Sequence, residues 1–344
     1  MKIKVGLVGV TGYAGQELLK ILLRHLGTSV LYLGSRQVKQ PRPVGDLLPA
    51  FRDVPNLTVQ PFRKAGALKN CECVFLALPQ GVAMTLAPKL LRNKRVKVID
   101  LSGDFRLRSA RQFAHAYQMQ HTHPALLKEA VYGLPECFRH EIRSARLVAN
   151  PGCYPTAALL GCAPLARAGL LKKEGLIVDA KSGVTGAGRG IKEELLFSEV
   201  NEDLRAYRVN AHQHIPEMEQ ELRQFAVHPV ELTFVPHLIP MNRGLYATIY
   251  APLVRSVTET KIRSIFAKAY QGEPFIRLLP EGSWPQTKSV AGTNRCEIAL
   301  RLDQRKKMCI LLVAIDNLGK GAAGQAVQNM NVMFGFKETE GLIP

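Results

Sequence analysis

Residues 4–15, Lys4-Val5-Gly6-Leu7-Val8-Gly9-Val10-Thr11-Gly12-Tyr13-Ala14-Gly15, carry a short apolar run straight into a glycine-spaced turn. The run at 4–9 reads as a buried strand, and residues 13–25, apolar at helical spacing, read as an amphipathic helix. Glycines at 9, 12 and 15 allow a tight turn and let backbone N–H groups approach a pyrophosphate at the helix N-terminus. The spacing is G-x-x-G-x-x-G rather than G-x-G-x-x-G, so the strand–turn–helix context carries more weight than the letters. A tight turn with no ligand is the plainer alternative.

A second strand at 29–34 ends in Gly34-Ser35-Arg36-Gln37. Enzymes that use NAD place Asp or Glu near this point for the ribose 2′-OH. Here a hydroxyl and a guanidinium stand instead, and no acid follows before Asp46. That favours NADP, whose 2′-phosphate Arg36 can hold bidentately; an ordinary surface arginine is the alternative. Strands at 73–78, 96–101 and 147–149 alternate with helical stretches such as 82–91, the pattern of a parallel sheet with helices on its faces. Leu76-Ala77-Leu78-Pro79-Gln80-Gly81 and Asp100-Leu101-Ser102-Gly103-Asp104-Phe105-Arg106 leave two of these strands at their carboxyl ends, where such sheets bind ligands. Asp104 and Arg106 form either a structural ion pair or, for Arg106, an anion clamp for a phosphate or carboxylate. Residues 104–143 read as irregular, with prolines at 124 and 135 and short helical pieces.

Beyond residue 150 the character shifts. Strands at 176–180, 230–235, 244–251, 297–302 and 308–315 are mostly longer and suggest an antiparallel or mixed sheet, with helices at 157–168, 216–226 and 258–270 and a last one at 321–333. The expected class is α/β: a Rossmann-type parallel-sheet domain, then an α+β domain with a mixed sheet.

The length of 344 residues suits about two domains. A hydrophobic fraction of 47% and a charged fraction of 22% are ordinary for a globular chain. No apolar run reaches the roughly 18 residues of a membrane span, and a strand beginning at once leaves no room for a signal peptide. Seven cysteines, an odd number without a CxxC pair, fit a reducing, cytoplasmic setting and no zinc site. Cys71 and Cys73, two apart in a strand-like run, read as two thiols on one face. A net charge of +18 raises nucleic-acid binding. Yet the basic residues are scattered, and Arg305-Lys306-Lys307 reads as a hairpin turn. A diffuse positive field also steers phosphorylated, carboxylated substrates, and a general bias toward Lys and Arg would produce the same charge.

Chemistry concentrates at Asn150-Pro151-Gly152-Cys153-Tyr154-Pro155-Thr156, between a strand and a long helical pattern. A cysteine there sits among unpaired N–H groups at the positive end of a helix, which favours a thiolate. Lys181-Ser182-Gly183-Val184-Thr185-Gly186-Ala187-Gly188-Arg189 offers several N–H donors and one fixed charge, enough to cradle an anion; a flexible connector is the alternative. In His212-Gln213-His214-Ile215-Pro216-Glu217, an extended 212–214 would turn both imidazoles to one side. A nucleophilic cysteine needs a base and the base an orienting partner, roles open to either histidine and to Glu217. His115, His121, His123 and His237 lack such a setting.

Taken together, GVTGYAG, SGDFRL, YGLPE, NPGCYPTA, KSGVTGAGR, NAHQHIPE and DNLGKGAAGQAVQNMNVMFGF resemble the N-acetyl-γ-glutamyl-phosphate reductases, NADP-dependent enzymes of arginine biosynthesis in the wider aspartate-semialdehyde dehydrogenase group. The resemblance spans nearly the whole chain. It implies that Cys153 is the nucleophile, forming a thioester that cofactor hydride reduces to the semialdehyde, with His212 or His214 moving the proton. It also implies that Gly9, Thr11, Gly12, Tyr13, Ala14, Gly15, Ser35, Arg36, Pro79, Ser182, Gly183, Asn317 and Gly321 contact NADP. Arg106 and Arg189 are candidates for the substrate's phosphate and carboxylate. Residues 317–344 would rejoin 1–149 as the cofactor domain, leaving 150–316 for catalysis and oligomerisation, in a homodimer or homotetramer. The partner expected is a small-molecule acyl phosphate, with neither nucleic acid nor membrane.

Two alternatives stand beside this. The related reductase of lysine biosynthesis takes an aminoadipyl phosphate on an acidic carrier protein, which the positive charge would suit; those enzymes resemble GCNATA around the cysteine, whereas PGCYPTA stands here. The other is a redox sensor or basic nucleic-acid binder on a dinucleotide fold, which has no need of a cysteine and histidine pair.

Overall fold

Ile3–Val8 lies inside an eight-stranded sheet whose order is Arg42–Pro43, Thr58–Pro61, Thr28–Ser35, Ile3–Val8, Cys73–Leu76, Lys97–Asp100, Leu147–Ala149, Val131–Tyr132. The computed structural model describes residues 2–54, 56–62 and 65–343. All pairings in this sheet are parallel except Arg42–Pro43 with Thr58–Pro61. Parallel strands covered on both faces are apolar at every position rather than alternately, and Val5, Leu7, Val8, Val74, Phe75 and Leu76 are all buried. The chain runs outward in opposite directions from Ile3–Val8, toward Thr28–Ser35 on one side and Cys73–Leu76 on the other. That reversal opens a crevice at the carboxyl ends of the strands.

The helix Tyr13–Arg24 buries Leu18, Leu19, Ile21 and Leu22 on one stripe and packs against the C-terminal helix Gly324–Phe334. His25 Nε2 and Asn331 Oδ1, 2.8 Å apart, tie the end of the first helix to the last. Asn329 Nδ2 donates to Gly133 O at 2.8 Å and to Asn150 Oδ1 at 3.1 Å. Buried amides hydrogen-bonded through their N–H groups in this way help fix one register.

The second sheet has seven strands in the order Arg205–Ala206, Leu232–Ile239, Leu176–Gly183, Leu245–Pro252, Met308–Ile315, Cys296–Asp303, Ile276–Leu278. It is mixed: Leu232–Ile239 runs parallel to Leu176–Gly183 and Ile276–Leu278 parallel to Cys296–Asp303, while the other pairs are antiparallel. One face holds Val178, Ala180, Phe234, Ile249, Leu311 and Val313, all buried, and the helix Cys153–Arg167 packs on it. Gly161 in that helix is required by packing, because a Cβ would lie 2.8 Å from Ile249 Cδ1. The helix is buried from Tyr154 through Ala166 without a break. On the opposite face Ile177 and Tyr250 are exposed and Tyr246, Thr248, Ile310 and Leu312 half-buried.

Two compact units result, Met1–Pro151 with Ala322–Leu342, and Gly152–Gly321 with Ile343–Pro344. Their borders differ from the expected 149/150 and 316/317. Asn150 N–H bonds Asp100 O and so stays with the first sheet, while Asn317 binds Gly244 and Thr185 in the second unit. The short helical pieces expected within 104–143 include Ala110–Tyr117 and Pro135–Ser144. The strand expected at 176–180 continues to Gly183, and the helix expected at 216–226 is Ile215–Leu222. The last helix opens with a π turn, Gly319–Ala323, before Gly324–Phe334. Cys71 precedes the strand Cys73–Leu76 rather than sharing it. Burial pushes the Cys71 thiol up to about 11 and the Cys73 thiol higher still. Among the described residues no helix is long and apolar enough to cross a membrane, and no group of three or more His, Cys, Asp or Glu could hold a metal.

Candidate active site

Cys153 is the first residue of its helix, after Gly152 in an extended conformation (φ −68°, ψ 155°) that has no side-chain cap. The first intrahelical bond is Thr156 N–H to Gly152 O at 2.9 Å, so the N–H groups of Cys153 and Tyr154 precede the helical ladder. Pro155 is well tolerated there, since a first-turn residue has no helical acceptor for its N–H. Glu217, fully buried, reaches back to this turn: its Oε1 accepts Gly152 N–H at 2.9 Å. Gly321 must be glycine, because a Cβ on it would come within 2.8 Å of Cys153 Cβ.

The two histidines lie beside the same turn. The segment 212–214 is a turn rather than an extended piece, since His214 is the N-cap of Ile215–Leu222 with φ −83° and ψ −10°. The rings nonetheless meet, centroids 4.6 Å apart, and both stand edge-on to Tyr154 at 5.8 and 6.0 Å. His212 Nδ1 accepts the backbone N–H of His214 at 3.1 Å. Its ring also meets Tyr207 at 5.6 Å and Phe234 at 5.4 Å. Burial pushes the His212 imidazole down to about 2, His214 and Arg208 push the same way, and the Glu217 carboxylate opposes them. His212 is therefore neutral, and with Nδ1 taken as an acceptor its proton resides on Nε2.

Two tyrosines that the sequence did not single out complete the cluster. Tyr207 Oη donates to Tyr154 Oη at 3.2 Å, and Tyr154 Oη donates to His237 O at 3.2 Å. Burial raises both phenols, Tyr207 to about 12, and the neighbouring Cys153 sulfur adds to each rise. Nothing local to residue 207 signals this role. It arises because Arg205–Ala206 pairs with His237 and Leu238 and delivers the next side chain to Tyr154.

Ser182 and Gly183 end their strand against the backbone of residues 241–244: Gly183 N–H bonds Gly244 O at 2.9 Å, and a Cβ on Gly183 would lie 2.7 Å from Met241 O. Asn317 accepts Gly244 N–H at 2.8 Å and donates to Thr185 Oγ1 at 2.9 Å. Asp316, missed in the sequence, is the hub of this loop. It accepts N–H bonds from Gly292, Leu318 and Gly319 and pairs with Arg243 at 2.9 Å. Arg189 lies beyond Gly188 on an exposed stretch.

In the first unit the glycine turn closes on itself. Gly9 has φ +97° and its N–H bonds Gly34 O at 2.8 Å, and a Cβ there would fall 2.0 Å from Ala77 O. A Cβ on Gly15 would fall 2.2 Å from Gly9 O, whereas one on Gly12 would meet nothing nearer than 3.5 Å. Gly9 and Gly15 are thus fixed by packing, and Gly12 leaves space over the N-terminus of Tyr13–Arg24. Thr11 Oγ1 and Ser35 Oγ are 3.0 Å apart. Ser35 is buried, Arg36, Tyr13 and Pro79 are exposed and Ala14 is half-buried. A cavity of about 490 Å³ follows directly, lined by Gln37, Val38, Lys39, Gln40, Arg42 and Leu47, adding two cations that the sequence pattern did not point to.

Asp104 caps a helix: its two carboxylate oxygens accept the N–H groups of Gly81 and Met84 at 2.8 and 2.9 Å, at the start of Ala83–Leu91. Arg106 is buried and donates to Asn150 O at 2.8 Å and Leu101 O at 2.9 Å.

Known proteins accord with this arrangement. Residues 4–145 match the semialdehyde dehydrogenase NAD binding domain and residues 153–317 the semialdehyde dehydrogenase dimerisation domain. An N-acetyl-gamma-glutamyl-phosphate reductase of Symbiobacterium thermophilum is 47% identical over 346 residues, covering all of this chain and 98% of the relative. That of Pseudomonas syringae pv. syringae is 48% identical over 344 residues, covering 99% and 98%. The chain belongs to the N-acetyl-γ-glutamyl-phosphate reductase family. Membership makes it an oxidoreductase with an NAD(P)-binding domain, and the relatives do not favour the lysine-type alternative. Solved structures extend the likeness of fold. Aspartate semialdehyde dehydrogenase II of Vibrio cholerae superposes with a TM-score of 0.72 at 16% identity, covering 97% of this chain and 99% of that one. The Candida albicans aspartate semialdehyde dehydrogenase with NADP does so at 0.69 and 13%, with the same coverage.

Proposed function

We propose that the chain reduces N-acetyl-γ-glutamyl phosphate to N-acetylglutamate 5-semialdehyde with NADPH, through a thioester on Cys153. The observation that carries this is Cys153 at an open helix N-terminus, with Glu217 fixing its turn and two histidines beside it. The Cys153 sulfur attacks the acyl carbon and phosphate leaves with the bonding electrons. Bound NADPH would supply hydride to the resulting thioester. Collapse of the thiohemiacetal then returns the sulfur and releases the aldehyde. N–H groups of the helix's first turn would stabilise the oxyanion.

The tautomer of His212 divides the work of the pair. Its Nδ1 is occupied and its Nε2 bears the proton, so it serves as a fixed donor toward a substrate oxygen. His214 is then the residue that takes and returns the thiol proton. Glu217 acts as a positioning residue for the nucleophile's turn. Arg106 and Arg189 remain the candidates for the substrate's phosphate and carboxylate, Arg189 being the more exposed.

For the cofactor, Gly12 leaves room where a pyrophosphate would meet the helix N-terminus, and Arg36, Lys39 and Arg42 offer three cations past the end of Thr28–Ser35. Ser35 and Arg36 would hold the 2′-phosphate that distinguishes NADP from NAD. Ser182, Gly183, Asn317, Gly321, Pro79 and the residues from Gly9 to Gly15 are the remaining proposed contacts, with the chain acting in the cytoplasm as a homodimer or homotetramer. For the oligomer, the open sheet face with Ile177, Tyr250, Ile310 and Leu312 is the proposed contact. The test is oxidation of N-acetylglutamate 5-semialdehyde with phosphate and either NADP or NAD. Full turnover by Cys153→Ala would overturn the thioester, and preference for NAD would overturn the reading of Ser35 and Arg36. Faster turnover of a carrier-bound aminoadipyl substrate would overturn the substrate.

A further inference from the structure

Between the loop ending at Ala187 and the strand Arg205–Ala206 the chain makes an excursion that buries almost nothing. Residues 188–199 are exposed except Leu195, which is half-buried, and the secondary structure is two single turns, Glu193–Leu195 and Phe197–Val200. Yet the stretch is apolar at its tips: Ile191 is 97% exposed and Phe197 82%, with Leu196 and Leu204 exposed as well. Isolated exposed apolar residues are ordinary, but four within fourteen positions mark an interaction site. Its charge is also reversed. Residues 189–204 carry five carboxylates, Glu193, Glu194, Glu199, Glu202 and Asp203, against Arg189 and Lys192, in a chain whose net charge is +18. An acidic, apolar-tipped arm on a strongly basic protein is complementary to the rest of that same protein.

We infer that residues 189–204 form an arm that docks on a second copy of this chain, its apolar tips buried and its carboxylates against the partner's basic surface. Continuity favours this occupant: the arm leads into Arg205–Ala206, the edge strand of the second sheet, within the stretch matched to a dimerisation domain. The arm also hangs between two parts of the active site. Thr185 at one end bonds Asn317, and Tyr207 at the other bonds Tyr154, five residues ahead of His212. Docking would therefore steady the positions that Tyr207 and His212 hold beside Tyr154. The inference rests on the homo-oligomeric reading and is independent of the substrate.

The experiment is sedimentation velocity on the full chain over a dilution series, with activity measured in parallel, for the native protein, Phe197→Asp, and Glu193→Lys with Glu194→Lys. Circular dichroism checks folding, and Phe197→Ala replaces Phe197→Asp if the latter does not fold. Expected are a rise in the dissociation constant of at least about tenfold, roughly 1.4 kcal/mol, a salt-sensitive association, and specific activity that falls on dilution with the oligomer. Unchanged mass and activity in both variants would overturn the arm, and so would monomers with full activity. Tyr250→Asp on the open sheet face separates the readings: dissociation there but not in the arm variants defeats the arm alone, while a native protein monomeric throughout defeats both. A photocrosslinker at position 197 that yields a product of single-chain mass, rather than double, would also overturn it.

Discussion

Glu217 and Gly152 are 65 residues apart in the chain, yet the Glu217 carboxylate accepts the Gly152 N–H at 2.9 Å. A buried charge is thereby directed at one backbone donor, the one immediately before the nucleophile. Glu217→Ala leaves that N–H buried and unpaired, at a cost of about 1–3 kcal/mol, and frees the turn. The expected result is a lower Tm and a fall in kcat of at least about tenfold with KM little changed. Glu217→Gln, which still presents an acceptor, should recover most of kcat. A Gln variant as impaired as the Ala variant would show that the charge, rather than the hydrogen bond, is what matters.

Gly321→Ala places a methyl group 2.8 Å from Cys153 Cβ. Overpacking of this kind costs about 1–3 kcal/mol, and relief must come through movement of the cysteine or the π turn Gly319–Ala323. Thiol alkylation by iodoacetamide should change in rate and kcat should drop, while secondary structure by circular dichroism stays the same. Unaltered alkylation and turnover would mean that the two backbones separate without consequence.

His212 gives a pH signature. Folded, burial holds it at about 2, against an ordinary value of 6.5. Between those values the unfolded chain binds a proton that the folded chain does not, so this group's contribution to stability is present above about pH 6.5 and is lost as pH falls. In His212→Gln the decline of Tm from about pH 7 to about pH 4.5 should be shallower than in the native protein, whatever the absolute offset. Equal slopes would contradict the buried, neutral imidazole. In the same assay His214→Asn should abolish the limb of the pH–rate profile that reports the base, and His212→Asn should leave its position unchanged.

Arg36→Ala should raise the KM for NADP by about ten- to a hundredfold, the worth of one charge-assisted pair, and leave the KM for NAD nearly unaltered. Equal changes for both cofactors would place Arg36 away from the 2′-phosphate.

Much of this molecule is readable from local pattern. The glycine turn after Lys4-Val5-Gly6-Leu7-Val8, the cysteine between a strand and a helix, and the neighbouring histidines are each written within a few residues. What escaped is made by chain segments meeting. Tyr207 enters the site only because Arg205–Ala206 pairs with Leu232–Ile239. Asp104 draws notice in the sequence only beside Arg106, yet its carboxylate also holds the N–H groups of Gly81 and Met84, which the fold alone brings to it. The sequence offers one side to both imidazoles only if 212–214 is extended, whereas the rings meet although His214 is the N-cap of the next helix.

The helix that begins at Cys153 is enclosed on every side through Ala166. The half-buried Cys153 thus stands at the tip of an element whose body is buried. Heat cannot loosen that tip ahead of its support, so inactivation on warming should coincide with cooperative melting of the surrounding unit instead of preceding it. Adaptation of this enzyme to a different temperature would then be written in the packing around Gly161 and its neighbours, at a distance from every group that touches substrate.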